Sequence, residues 1–156
     1  MKLKRAAYRH IEAEIYCYND TLKAIDELKR NIYYAGRNLR YSDLIRTPGY
    51  KGTSVVERKA TWLADSILLR EMERITDAIK ETYAKAKNEI RQVIWLKYGL
   101  TLDWEPPAGL KQLVDMQDRN GMSVSQMSSI LSIDDSTFHR YRTGYVLSVA
   151  KKLGWW

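Results

Sequence analysis

The sequence predicts an all-α fold: N-terminal long helices, forming a hairpin or coiled coil, followed by a C-terminal helix-turn-helix. Three observations predict it. Apolar residues recur every three or four positions over long stretches, the spacing of one helix face. No segment alternates apolar and polar residues with period two, as a half-buried strand would. Chain breakers are sparse and clustered, with prolines only at Pro48, Pro106 and Pro107.

The first helix is expected from about Leu3 to Ala35. Its stripe is Ile11, Ile15, Tyr18, Leu22, Ile25, Leu28 and Ile32, and Gly36 is positioned to end it. Residues 36–53 have no period and carry turn residues, which reads as a loop. Ser54 with Glu57 three residues later forms a capping signature for a second long helix. That helix is expected to run without a break to about Tyr98, along Leu68, Met72, Ile75, Ile79, Tyr83, Ala86, Ile90 and Val93. Such a rod would be ~65 Å long at 1.5 Å per residue, more than one small domain needs, so part of it is expected to pack against the first helix or a second chain, and the seam from Leu68 to Val93 points to a homo-oligomer. The domain reading is therefore a helical, oligomerising region over 1–98, an insertion over 99–121 and a DNA-binding module over 122–156.

Gly99 should end the long helix. Trp104-Glu105-Pro106-Pro107 is a break, and Leu110–Arg119 is a short amphipathic helix closed by Asn120-Gly121. A helix this short is marginal alone, so its Leu110, Leu113 and Val114 face is expected to pack within the chain beside Leu102 and Trp104. Trp155-Trp156 is expected to fold back onto the helices.

The last segment carries the chemistry. Ser123 and Gln126 form a capping box ahead of an apolar face of Met127, Ile130 and Leu131. Ser132-Ile133-Asp134 is a short turn, with Ile133 available to fill the space between helices. Asp134 is an N-cap whose carboxylate reaches the amide of Ser136 or Thr137. The helix it starts turns Phe138, Tyr141, Tyr145 and Val146 inward. Asp135, Ser136, His139, Arg140 and Thr143 face outward, with Arg142 on the flank and Thr137 near the start. A helix fits the major groove of double-stranded DNA, and its N-terminal outward residues reach base edges. Asp135, Ser136, Thr137, His139, Arg140, Arg142 and Thr143 are thus the candidate DNA contacts.

Charge agrees with an anionic partner and adds a qualification. The 156 residues hold 26 Lys and Arg against 19 Asp and Glu, a net charge of +7. Residues 1–51 carry 11 basic and 6 acidic groups, residues 52–119 carry 11 of each, and residues 120–156 carry 4 and 2. The reading module is mildly basic; most of the excess lies near the N-terminus. Lys2, Lys4, Arg5 and Arg9 are candidates for phosphate contact.

Other chemistries are disfavoured. A single cysteine, Cys17, excludes an internal disulfide framework and fits a reducing compartment, so a cytoplasmic location is expected. No apolar run reaches ~18 residues and no apolar stretch follows the basic start, so neither a membrane span nor a signal peptide is expected. His10 and His139 have no ligand-spaced companions, Glu12/Glu14 and Asp134/Asp135 do not face one another as acid–base pairs, and no phosphate loop or nucleophile elbow occurs. No metal, cofactor or enzymatic activity is expected. Most tyrosines, among them Tyr8, Tyr18, Tyr83 and Tyr141, fall on or beside the apolar stripes and read as packing residues.

The C-terminal part resembles the late-operon transcription activators of phages of Gram-positive bacteria, the RinA/ArpU-like group, whose C-terminal module is similar to region 4 of sigma-70 factors. Arg91–Gly99 carries the resemblance for the lead-in helix, and Ser125–Arg142 and Ala150–Gly154 carry it for the module. Ser136-Thr137-Phe138-His139-Arg140 looks like the start of that group's recognition helix. Residues 100–120 are an insertion relative to the group, and Gly144 is unusual inside a recognition helix. The resemblance implies a sequence-specific activator of a phage or prophage operon, with host RNA polymerase as a further partner. The alternatives are a small-terminase-like DNA-packaging subunit that assembles into rings, and a structural helical adaptor without DNA contact.

Overall fold

A computed structural model of the chain describes residues 3–42 and 55–155, and all regular structure among them is helical. The elements are α1 (Arg5–Tyr16), α2 (Tyr18–Ser42), α3 (Val55–Lys85), α4 (Asn88–Tyr98), α5 (Ala108–Asp115), a 3-10 turn (Arg119–Gly121), α6 (Val124–Ile130) and α7 (Asp135–Leu153). Among the described residues no helix is long and apolar enough to cross a membrane.

The first expected helix is two helices. Cys17 separates them with φ −87° and ψ 6°. It sits in Tyr16-Cys17-Tyr18-Asn19-Asp20-Thr21, a run of residues from the weaker half of the helix-propensity scale. The second helix continues past Gly36 to Ser42, so residues 36–42 are helical rather than loop. A glycine in a helix interior costs only ~1 kcal/mol relative to alanine, which does not by itself stop a helix. The rest of the expected loop, with the Ser54 cap, lies outside the described residues.

The expected continuous helix of residues 55–98 is also broken, at Ala86–Lys87. Propensity does not explain this, because alanine and lysine are strong helix formers. The cause is a side chain. The Arg91 guanidinium donates to the carbonyls of Tyr83 at 3.1 Å and Ala84 at 2.6 Å, which ends α3. Gly99 then ends α4 in the left-handed region at φ 74°, its N–H donating to Trp95 O at 2.8 Å. A Cβ at Gly99 would lie 2.6 Å from the Arg119 guanidinium, so both the backbone and the space call for glycine.

The chain divides into two compact units, Met1–Tyr18 with Asp77–Trp156, and Asn19–Thr76. Helix α1 packs on α7 and so belongs to the first unit. In the first unit α7 is central and contacts α1, α4 and α6. It buries Phe138, Tyr145, Val146, Val149, Ala150 and Leu153. The Tyr145 hydroxyl donates to Ile79 O and the Tyr83 hydroxyl to Leu100 O, each at 3.0 Å, so both buried phenols are satisfied. Gly144 interrupts nothing; α7 runs through it. Trp155 stacks on His10 with ring centroids 5.1 Å apart, while Trp156 lies outside the described residues.

In the second unit α2 and the N-terminal part of α3 run antiparallel. Lys29 pairs with Glu73 at 2.8 Å, and Trp62 lies against Gly36. Ile25 and Ile75 are buried.

The seam expected to bind a second copy is mostly used inside the chain. Ile75, Ile79, Tyr83 and Val93 are buried, the last three by the first unit. The large apolar residues that α3 leaves exposed lie earlier, at Val56, Trp62, Leu63, Ile67 and Leu68.

The inserted helix joins a core of Val93, Trp95, Leu96, Met127 and Phe138 through Val114, with Trp104 and Leu110 against its edge. Leu113, expected on the inward face, is 51 % exposed. Helix α5 starts at Ala108 and ends at Asp115, and this register points Val114 rather than Leu113 into the core. Val114→Asp should therefore lower the melting temperature by about 10 °C, since it strands a carboxylate in an apolar cluster. Leu113→Asp should leave it within about 2 °C, a contrast that differential scanning calorimetry measures directly.

Candidate nucleic-acid interface

Local chemistry sets both ends of the α6–α7 pair. At the start of α6, Ser123 Oγ accepts from the Gln126 amide at 3.3 Å, and Gln126 Oε1 accepts from the Ser123 amide at 2.8 Å. This is the expected capping box. The turn between the helices places Ser132 at φ 56°, and the Ile133 amide donates to Ser128 O at 3.0 Å. Ile133 packs against the core cluster beside Ile130, Leu131 and Tyr141. The Asp134 carboxylate caps α7, accepting from the Thr137 amide at 3.2 Å and the Thr137 hydroxyl at 2.7 Å. The Ser136 hydroxyl donates to the same carboxylate. Those hydroxyls, Ser136 first and then Thr137, together with the amide, hold its carboxyl well below the usual carboxylate range.

Asp135 has a role that spacing does not reveal. Its carboxylate accepts from Ser128 Oγ and, at 2.9 Å, from Ser125 Oγ, both on α6. These bonds tie the first turn of α7 to α6 and lower the Asp135 pKa, Ser128 being the larger cause. Asp135 is exposed, but its acceptor capacity is largely spent inside the pair.

Ser136, His139, Arg140 and Thr143 are exposed, and Thr137 is half-buried under the cap. The first four fall at i, i+3, i+4 and i+7, one face of α7. The Arg140 guanidinium lies 5.5 Å from the centre of the Tyr141 ring, which steadies it against the helix surface. The face therefore presents two hydroxyls, an imidazole and a guanidinium, a donor-rich set.

Arg142 does not belong to it. Its side chain is 19 % exposed and turns the other way, to Glu12 of α1, which is 15 % exposed. Arg142 Nε donates to Glu12 Oε1 at 2.8 Å and to the Tyr98 hydroxyl at 3.1 Å, and Nη2 also donates to Glu12. Tyr98 in turn donates to Glu12 at 2.5 Å. Burial disfavours the charged guanidinium, but its bonds to Glu12 and Tyr98 outweigh that and keep it protonated. Burial first, and the bond to Glu12 second, push the Tyr98 phenol up. A flank residue expected to touch DNA is thus a structural one. Nothing local in the sequence signals this, because Glu12 lies 130 residues upstream.

No group of three or more metal-ligating side chains occurs among the described residues. The Gln117, Ser125, Gln126, Ser129 and Ile130 hollow beside α6 is open and holds no charged side chain. Comparison of the chain with family models, curated proteins and solved structures found no match.

The Glu12–Arg142–Tyr98 cluster is testable by itself. Glu12→Ala leaves a half-buried guanidinium without its carboxylate and should cost about 2–3 kcal/mol, below the cost for a fully buried pair because both partners keep some solvent contact. Urea unfolding reads this loss. Adding Arg142→Met should recover part of it, since the orphaned charge is then gone.

Proposed function

We propose that this chain binds double-stranded DNA in a sequence-specific manner through the exposed face of α7 and regulates transcription of a phage or prophage operon. It acts by binding rather than by catalysis. One observation carries the reading. A short capped helix, a four-residue connection and a longer capped helix are tied together by Asp135, and the second helix exposes Ser136, His139, Arg140 and Thr143 on one face. That face offers donors to guanine, to phosphate and to thymine edges, and a helix of this kind fits the major groove. The resemblance of Arg91–Gly99 and Ser125–Arg142 to the late-operon activators of phages supports the activator role and contact with host RNA polymerase.

The reading assigns the exposed stripe of α3 to a second copy of the chain. Val56, Ala60, Leu63 and Ile67 recur at steps of 4, 3 and 4, the spacing of a helix–helix seam, and all four are exposed. The stripe carries no charge, so a like stripe complements it better than an anionic partner does. An operator with two half-sites matches such a dimer.

Selection of bound duplexes from a random pool should yield a defined motif. On that motif Arg140→Ala should cost ~1–3 kcal/mol and relax the preference at one base pair. Unchanged binding would remove α7 as the reading element, and equal weakening on random duplex would make Arg140 a phosphate contact.

For the second copy, Ile67→Lys should shift the sedimentation of the protein from dimer to monomer while leaving its helical circular dichroism intact. A wild type that remains a monomer at tens of micromolar contradicts the assignment, as does a ring-sized mass, which fits a packaging subunit instead.

A further inference from the structure

Helix α2 carries an exposed face that the packing of its unit does not use. Arg30, Tyr33, Tyr34 and Arg37 fall at i, i+3, i+4 and i+7, so they share one side of the helix. All four are exposed, Tyr33 by 62 % and Tyr34 by 59 %. The two rings meet edge to face with centroids 5.6 Å apart, and the Arg37 guanidinium lies 6.0 Å from the centre of the Tyr33 ring. Arg30 Nε makes one long bond, 3.4 Å, to the Asp26 carbonyl of its own helix. Neither arginine pairs with a carboxylate among the described residues, in contrast to Lys29 beside them, which pairs with Glu73. Asp26 and Glu27 bound the face on its N-terminal side.

We infer that this α2 face is a second contact to DNA, one that holds the phosphate backbone of a duplex without reading its sequence. The inference rests on the DNA-binding reading of α7 and deepens it. The donor set is the one phosphate oxygens take: two guanidinium groups and two phenol hydroxyls. The face has no aliphatic side chain, unlike the α3 stripe, so an apolar partner gains little on it. Arg30 and Arg37 stand seven residues apart, about 10.5 Å along the helix at 1.5 Å per residue, a separation that two different phosphates can fill. Charge distribution calls for phosphate contacts outside the reading segment. Residues 120–156 carry only 4 basic against 2 acidic groups, whereas residues 1–51 carry 11 against 6. Backbone neutralisation supplies most of the sequence-independent affinity for DNA, and the charge able to supply it lies chiefly outside the reading segment.

The test uses the full chain and fluorescence anisotropy over 50–200 mM KCl. The probes are the selected duplex, a random-sequence duplex of equal length, and the single strand of the selected site. The double variant Arg30→Ala/Arg37→Ala should reduce the slope of log K against log salt by about 2 on both duplexes, close to 0.9 per phosphate contact. Over this salt range that amounts to about a tenfold smaller loss of affinity. The ratio of selected to random binding should stay at the wild-type value, and Arg30→Lys/Arg37→Lys should return most of the slope. Helical circular dichroism and melting should match wild type, because the side chains are exposed. An unchanged slope in a variant that still prefers the selected duplex overturns the α2 contact and leaves the α7 reading standing. Tighter binding of the single strand, lost in Tyr33→Ala/Tyr34→Ala, overturns the phosphate assignment in favour of base stacking. A wild type that binds neither duplex overturns both.

Discussion

Arg142 is placed where its guanidinium loses most of its water, and Glu12 with Tyr98 replaces what is lost. Taking a charge out of water costs several kcal/mol, so the position is tenable only while α1 and the end of α4 stay against α7. The three helices are thereby committed to one arrangement. Apolar packing alone does not commit them so sharply, since it is non-directional and tolerates small slides. The rotation of α7 about its axis follows. With Arg142 turned inward beside Phe138, Tyr145 and Val146, the face of Ser136, His139, Arg140 and Thr143 is left outward. The same cluster explains why α1 belongs to the unit that holds α7 rather than to the helical hairpin that follows it.

Around this fixed helix, short-range chemistry supplies the finer placement. Ser123 and Asp134 satisfy orphan amides at two helix starts. Asp135, next to the second cap, spends its carboxylate on two serines of α6. Two adjacent acids so close to a proposed DNA face look unfavourable by charge alone. Their lone pairs are occupied by hydroxyl and amide donors, which disperses the negative charge into the protein. His139 and Arg140 lie on the following turn.

Helix α3 shows how one element can answer to two demands. Ile75, Ala78, Ile79 and Tyr83 are buried in its second half, while Val56, Leu63 and Ile67 are exposed in its first. A single periodic stripe does not describe such a helix, because its two ends belong to different compact units. The break at Ala86 belongs to the same story. Two of the most favourable residue types for a helix occupy the interruption, and a guanidinium from the next helix, holding the carbonyls of Tyr83 and Ala84, outweighs their preference.

Elements whose causes are local are legible from residue type and spacing. The all-α class, the capping box at Ser123, the cap at Asp134, the stop at Gly99 and the inward placement of Phe138 each depend on residues within one or two helical turns of one another. Spacing alone also identified the outward set of Asp135, Ser136, His139, Arg140 and Thr143, though not that Asp135 is tied to α6. Packing between helices decided the register that buries Val114 and exposes Leu113, and the burial of Arg142. In each of these the deciding partner is another helix or a residue remote in sequence, and periodicity carries no information about it. Arg142 is the clearest case. Its spacing is that of a flank residue, but a carboxylate 130 positions away offsets its desolvation and turns it into the joint between α1 and α7.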